Sequence, residues 1–304
     1  MNGALSPARP RLPARRSLTA VLALLPFVLF TAALTIYPFG QVVRMSFSDI
    51  KLTSTGFQFL WNGGANYLDV LASRYSWQAV QNTAVFIVAT VLGSLLVGLA
   101  LAILVNRSVL LLPIARNVMI WPAVIAPVVV SLMWLLILSP TAGGLNKLLG
   151  SLGIEGQNWL NSGRGAMASL VVVDIWHWTP VVFLFIYTAL QGISDDVLEA
   201  ARIDGANERQ ILSRIVLPLL TPAIGAVAVV RVIMGVKVFD EMYLLTQGGP
   251  AGATTLVSQR VQLWFFQDLK YGQAASFSLL VVILTAGALL VFVLGRRLIR
   301  GRKA

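Results

Sequence analysis

The sequence contains no cysteine and a single histidine, His177. The first absence excludes a disulfide framework, a thiolate zinc site and a cysteine nucleophile. The second leaves one imidazole without companion His or Cys ligands, so no metal is expected. Charge is scarce as well: Asp, Glu, Lys and Arg make up 12% of the 304 residues, while 57% are hydrophobic. A soluble domain carries about a quarter charged residues. Here too little polar surface remains to cover a water-soluble globule, and the excess apolar surface must meet lipid. Acidic residues are the rarer sign, 12 against 23 basic ones, for a formal net charge of +11. That excess would suit nucleic acid if it formed a patch, but the basic residues are dispersed between long apolar runs, so no nucleic-acid partner is expected. No G-x-x-x-x-G-K-[ST] phosphate loop, serine elbow or paired-histidine motif occurs. No catalytic residue is therefore assigned, and the chain reads as a non-enzyme.

Long apolar runs are what the sequence has in abundance. A membrane helix needs roughly 20 mostly apolar residues, and six stretches qualify: about Leu18–Phe39, Ala79–Val105, Val118–Leu138, Met167–Leu190, Ile215–Val238 and Ala274–Leu294. The expected fold is an all-α integral membrane protein of about six transmembrane helices. Pro26, Pro122, Pro127, Pro180 and Pro222 lie within or near these runs, where neighbouring helices can satisfy the carbonyls they free. The first run, about 22 residues long, exceeds the about 7–15 of a signal-peptide core and reads as a retained anchor. Residues 1–17, rich in Pro, Ala and Arg, are expected to form a disordered tail. Residues 18–304 then form the transmembrane domain, with its core at 79–295.

Six spans put both termini on one side, and the excess of Arg and Lys in cytoplasmic segments chooses which. With the N-terminus inside, the inner segments hold fourteen: Arg9, Arg11, Arg15, Arg16, Arg107, Arg116, Arg202, Arg209, Arg214, Arg296, Arg297, Arg300, Arg302 and Lys303. The outer segments hold seven: Arg44, Lys51, Arg74, Lys147, Arg164, Arg260 and Lys270. Both termini are expected in the cytoplasm. The outer connections, about 40–78, 139–166 and 239–273, are too short for a separate enzyme domain.

One inner connection, residues 194–214, differs from the rest. It reads as two short helices joined by a turn. Asp196 followed by Glu199 fits a capping box at the first start. Gly205 suits a left-handed stop, and Asn207 followed by Gln210 repeats the start signal. Such a helix can enter a cleft on a partner protein, with Ala200 and Ala201 allowing close approach and Glu199 offering an anchor. An ordinary capped cytoplasmic loop has the same local pattern.

Glu199-Ala200-Ala201, three residues, Gly205, nine residues, then Ile215-Val216-Leu217-Pro218 resembles the EAA motif of binding-protein-dependent ABC importer permeases. Two further stretches, Val173-Asp174-Ile175-Trp176-His177-Trp178-Thr179-Pro180 and Val238 to Pro250, are similar to segments of the maltose-type carbohydrate uptake permeases. The similarity suits the first of two permease subunits, in a six-span form. It implies the type I importer permease fold in the bacterial inner membrane. Glu199, Ala200, Ala201, Asp204 and Gly205 would belong to a coupling helix that docks on an ATPase subunit. The implied partners are a second homologous permease, two ATPase subunits and an external sugar-binding protein. ATP and Mg would reside on the ATPases, with no cofactor on this chain.

Ionisable groups at the centre of a span cost roughly 2.5–3.5 kcal/mol on insertion scales and so face partners or water-filled paths. Asp174, Trp176, Trp178, Thr179, Arg231, Asp240 and Tyr243 are candidates for a substrate path. Aromatic faces would stack on pyranose rings and carboxylates would accept hydroxyl hydrogens. Alternatively, Asp174, His177 and the tryptophans form a buried polar cluster, and Arg231 is a structural ion pair rather than an anion ligand. Lys237, Asp240 and Glu241 are expected near the outer end, solvated or paired as a gate. A secondary carrier driven by an ion gradient is the competing function; it would use intramembrane carboxylate relays, and Asp174 is the one carboxylate placed firmly inside a span.

Overall fold

The computed structural model describes residues 14–54, 56–106 and 120–301. Arg9, Arg11, Arg107, Arg116, Arg302, Lys303, the tail up to residue 13 and the start of the third apolar run lie outside them. Among the described residues five helices are long and apolar enough to cross a membrane, and they contain or nearly contain five of the six expected runs. They are α1 (Ala14–Ser46), α3 (Arg74–Asn106), α6 (Gly163–Gln191), α8 (Glu208–Val236) and α11 (Tyr271–Gly301).

The third run departs from the expectation of a continuous helix. Its described part makes one short helical turn at 120–124, breaks at Ile125–Ala126, and resumes as α4, Pro127–Ile137. Proline disfavours helical backbone in the residue before it, and Ala126 has φ −59° and ψ 137°. At 11 residues α4 is about 16 Å long, roughly half of a ~30 Å hydrocarbon core.

The connections carry structure of their own. After α1 an antiparallel hairpin pairs β1 (Ser48–Thr53) with β2 (Gly56–Trp61), Ser48 opposite Trp61 and Thr53 opposite Gly56. Helix α2 (Ala65–Ala72) follows, and buried Asn66 ties it down by donating to the Ser46 and Ser48 carbonyls at 3.0 Å each. Short helices α5 (Gly144–Ser151), α7 (Asp195–Ile203), α9 (Asp240–Leu245) and α10 (Val257–Gln262), the last followed by a π turn at Leu263–Gln267, complete the described elements.

Lipid is as apolar as leucine, so helix pairs in a bilayer gain mainly from close packing through small residues. Helices α3 and α6 follow that rule. A Cβ on Gly98 would stand 2.7 Å from Val182 Cγ1 and 3.1 Å from the Phe183 backbone nitrogen. Buried side chains group in three clusters. One joins α3, α6, α7 and α8 around Phe183, Ile186, Ala201 and Leu220. A second gathers Phe86, Leu170, Met242 and Leu256. The third sets Trp264 and Phe277 against α2 and α3. The apolar window of α1, by contrast, buries none of its residues within the chain.

Candidate functional site

The 194–214 connection folds as two helices around a glycine turn. Ser194 caps α7 with extended backbone and makes no side-chain cap bond, so the capping box expected of Asp196 and Glu199 does not form. Asp196 lies inside the first turn instead, where it and Asp195 complement the positive end of the helix dipole. At the other end Gly205 has φ +81°. Its N–H donates to Arg202 O and that of Ala206 to Ala201 O, both at 3.0 Å. These two bonds are a Schellman stop, which needs the left-handed residue that glycine supplies. Asn207 then caps α8: its side chain accepts from Gln210 N at 3.0 Å, while Asn207 N donates to Gln210 Oε1 at 2.9 Å. Five residues later the helix widens into a π turn at Leu212–Val216, just before Pro218.

The two faces of α7 differ. Ala201 is buried and Leu198 packs with it against the cluster of α3, α6 and α8. Glu199, Ala200, Asp204 and Gly205 are exposed. Ile203 is 87% exposed on the same short helix. Ile203 was not among the residues singled out from the sequence, since which face of α7 the bundle covers is set by the fold.

The polar residues of the spans gather in the bundle interior. Arg231 of α8 is fully buried; its Nη2 donates to Asp174 Oδ1 on α6, and its Nε donates to Ser94 Oγ on α3 at 3.3 Å. Its Nη1 is buried with no hydrogen-bond partner among the described residues. His177, one turn after Asp174, places Nδ1 2.9 Å from Glu241 Oε1 on α9 and Nε2 3.3 Å from Ile125 O at the break in the third run. Glu241 is thus buried rather than solvated at an outer end, because α9 turns Glu241, Met242 and Leu245 into the bundle.

The remaining path candidates divide by exposure. Thr179 is buried and spends its hydroxyl on Ile175 O at 2.6 Å. Trp176 and Tyr243 are each 37% exposed, Trp178 and Asp240 are half-buried, and Lys237 is exposed. Trp134 meets Trp176 edge-on at 5.7 Å, and Phe239 stacks on Tyr243 at 5.1 Å. Trp176 also lines an apolar cavity of about 440 Å³ with Val97, Leu101, Pro122, Ile175 and Pro180. Open aromatic faces with one accessible carboxylate can stack on and accept from a hydroxyl-rich molecule. Among the described residues no group of three or more His, Cys, Asp or Glu converges to hold a metal ion.

The chain is similar in sequence and fold to known proteins. The chain is 36% identical over 221 residues to a probable ABC transporter permease protein of Sinorhizobium fredii, covering 73% of this chain and 71% of that one. It is 32% identical to the trehalose/maltose transport system permease protein of Thermococcus litoralis, with 76% and 78% covered. The sulfoquinovosyl glycerol transport system permease protein of Agrobacterium fabrum is 32% identical over 296 residues, 93% and 91% of the two chains. The crystal structure of a bacterial ABC transporter involved in import of the acidic polysaccharide alginate superposes with a TM-score of 0.82 at 21% identity, over 93% of this chain and 96% of that one. Residues 94–303, which include the 194–214 connection and the buried ion pair, match the family model for inner membrane components of binding-protein-dependent transport systems. With its multiple apolar helices, the chain belongs to that family and is a multi-pass permease of the inner membrane.

Proposed function

We propose that this chain is the permease subunit of an ATP-driven importer that carries a sugar or sugar derivative into the cytoplasm by alternating access. It works with a second, homologous permease, two ATPase subunits that hold ATP and Mg, and an external binding protein. Both termini lie in the cytoplasm. Relatives named for trehalose and maltose and for sulfoquinovosyl glycerol support the substrate class. A second alginate importer structure, solved with a pentasaccharide-bound periplasmic protein, supports the external partner.

The observation that carries the reading is the two-faced helix α7. Its Ala201 side is anchored in the bundle, while Glu199, Ala200, Ile203, Asp204 and Gly205 stand free for an ATPase groove. Closure of the ATPases on ATP pushes this helix, and the buried Ala201 contact passes the push to α3, α6 and α8. Substrate meets Trp176, Trp178, Asp240 and Tyr243, with Asp174, Thr179 and Arg231 as the frame behind them. Shifting such a two-state equilibrium from mostly inward to mostly outward takes about 5.5 kcal/mol of differential binding, which ATP and the loaded binding protein share.

Glu199→Lys in the reconstituted importer tests the assignment. Membrane insertion stays intact and substrate-stimulated ATP hydrolysis is lost; full stimulation would refute the docking role. The ion-driven alternative gains two features from the structure, a discontinuous third run and a second buried carboxylate, Glu241. Both carboxylates are nevertheless committed to fixed partners, and family membership points the other way. Uptake by the purified chain alone under a proton or sodium gradient would favour that alternative.

A further inference from the structure

His177 joins three elements, and its hydrogen bonds determine how many protons the site holds. In an unbroken helix the Ile125 carbonyl would accept from Val129 N–H. Because Ala126 leaves the helical region, that N–H donates to Ala126 O at 2.9 Å instead. The freed carbonyl lies 3.3 Å from His177 Nε2. A carbonyl oxygen only accepts, so Nε2 carries a hydrogen.

A neutral imidazole of that tautomer presents a lone pair at Nδ1, and Glu241 Oε1 stands 2.9 Å away. Two lone pairs do not attract at this separation, so a proton lies between them. It is held either by an imidazolium facing a carboxylate or by a carboxylic acid facing an imidazole. In both states the pair has no net charge, as suits side chains 1% and 3% exposed. Among the described residues, the other charges near the pair are Asp174 on α6, answered by Arg231 of α8, and Asp240 on α9; α4 contributes none. Trp178 stacks on the imidazole at 4.5 Å.

We propose that His177 is a positioning residue. The proton it shares with Glu241 and its bond to the Ile125 carbonyl lock α9 to the interruption of the third run, which holds Asp240 and Tyr243 where the path needs them. Only the last clause rests on the transport reading; the lock itself is a matter of geometry.

The absence of native cysteine allows a direct test. Spin labels at Phe185→Cys on α6 and Tyr243→Cys on α9 report the distance between the two helices in the importer assembled in lipid nanodiscs, without substrate. A single narrow distribution is expected in this background and again with Glu241→Gln, whose amide N–H donates to Nδ1. Glu241→Ala and His177→Phe lose the narrow distribution. If His177→Phe does not assemble, Glu241→Ala carries the same test. An unchanged distribution in Glu241→Ala would overturn the lock, and a Glu241→Gln as broad as Glu241→Ala would overturn the shared proton. Neither failure touches the importer reading, which Glu199→Lys tests separately.

Discussion

At the residue scale, the interior of this protein is organised by buried polar pairs whose members lie far apart in sequence. Asp174 and Arg231 are separated by 57 positions and His177 and Glu241 by 64. Removing one partner of a buried pair leaves an uncompensated charge and costs about 3–5 kcal/mol, whereas replacing both with apolar residues is often near neutral. Arg231→Ala should therefore lower the melting temperature of the solubilised complex strongly, and Asp174→Leu with Arg231→Met should restore much of it. A double variant as unstable as the single one would show that the pair is not what the site needs. The sequence left Arg231 open between an anion ligand and an ion pair. Composition and span position are the same in both cases, and only the fold brings Asp174 within reach. Glu241 was left open between solvated and paired for a related reason: its depth depends on which face of the six-residue α9 turns inward, and six residues are too few to show a periodicity.

At the element scale, local signals were legible wherever local hydrogen bonds satisfy the backbone. Gly205, Asn207 and Gln210 form their stop and start within a few residues, so the two-helix connection could be read directly. Asn207→Ala should cost about 1 kcal/mol, seen as faster proteolysis of the 194–214 connection. The first start was read two residues too far in, because Asp195, Asp196 and Ser194 are all acceptable caps and the backbone chose Ser194. The break before Pro127 was legible as a proline, but membrane helices tolerate many prolines; the fold alone shows a histidine within hydrogen-bond reach of the freed carbonyl. The β1–β2 hairpin was missed, since its residues were read only as an outer loop. Packing between α3 and α6 gives a further test. Gly98→Leu would drive a side chain into Val182 and the Phe183 backbone, and overpacking of this kind costs about 1–3 kcal/mol. Assembly yield measured by size exclusion should fall, while Gly40→Leu on α1, where nothing lies within 4 Å, should leave it unchanged.

At the scale of the whole molecule, the orientation proposed from the basic residues has a simple check. Ser194 and Ser151 are both exposed, one beside α7 and the other ending α5. In the cysteine-free chain, Ser151→Cys should react with a membrane-impermeant maleimide in intact cells. Ser194→Cys should react only after permeabilisation; the opposite pattern would invert the topology.

Helix α8 runs as one rod of 29 residues from the Asn207 cap to Val236, a length of about 43 Å at 1.5 Å per residue. Its Asn207 end adjoins the exposed α7, and Asp240 follows a few residues beyond its far end. A tilt of about 10° about one end of such a beam sweeps the other through roughly 7 Å, by the same rise per residue. In the proposed importer the widened turn at Leu212–Val216 would be where that beam flexes, and a small nudge at α7 would become a displacement the size of a sugar ring at the other end.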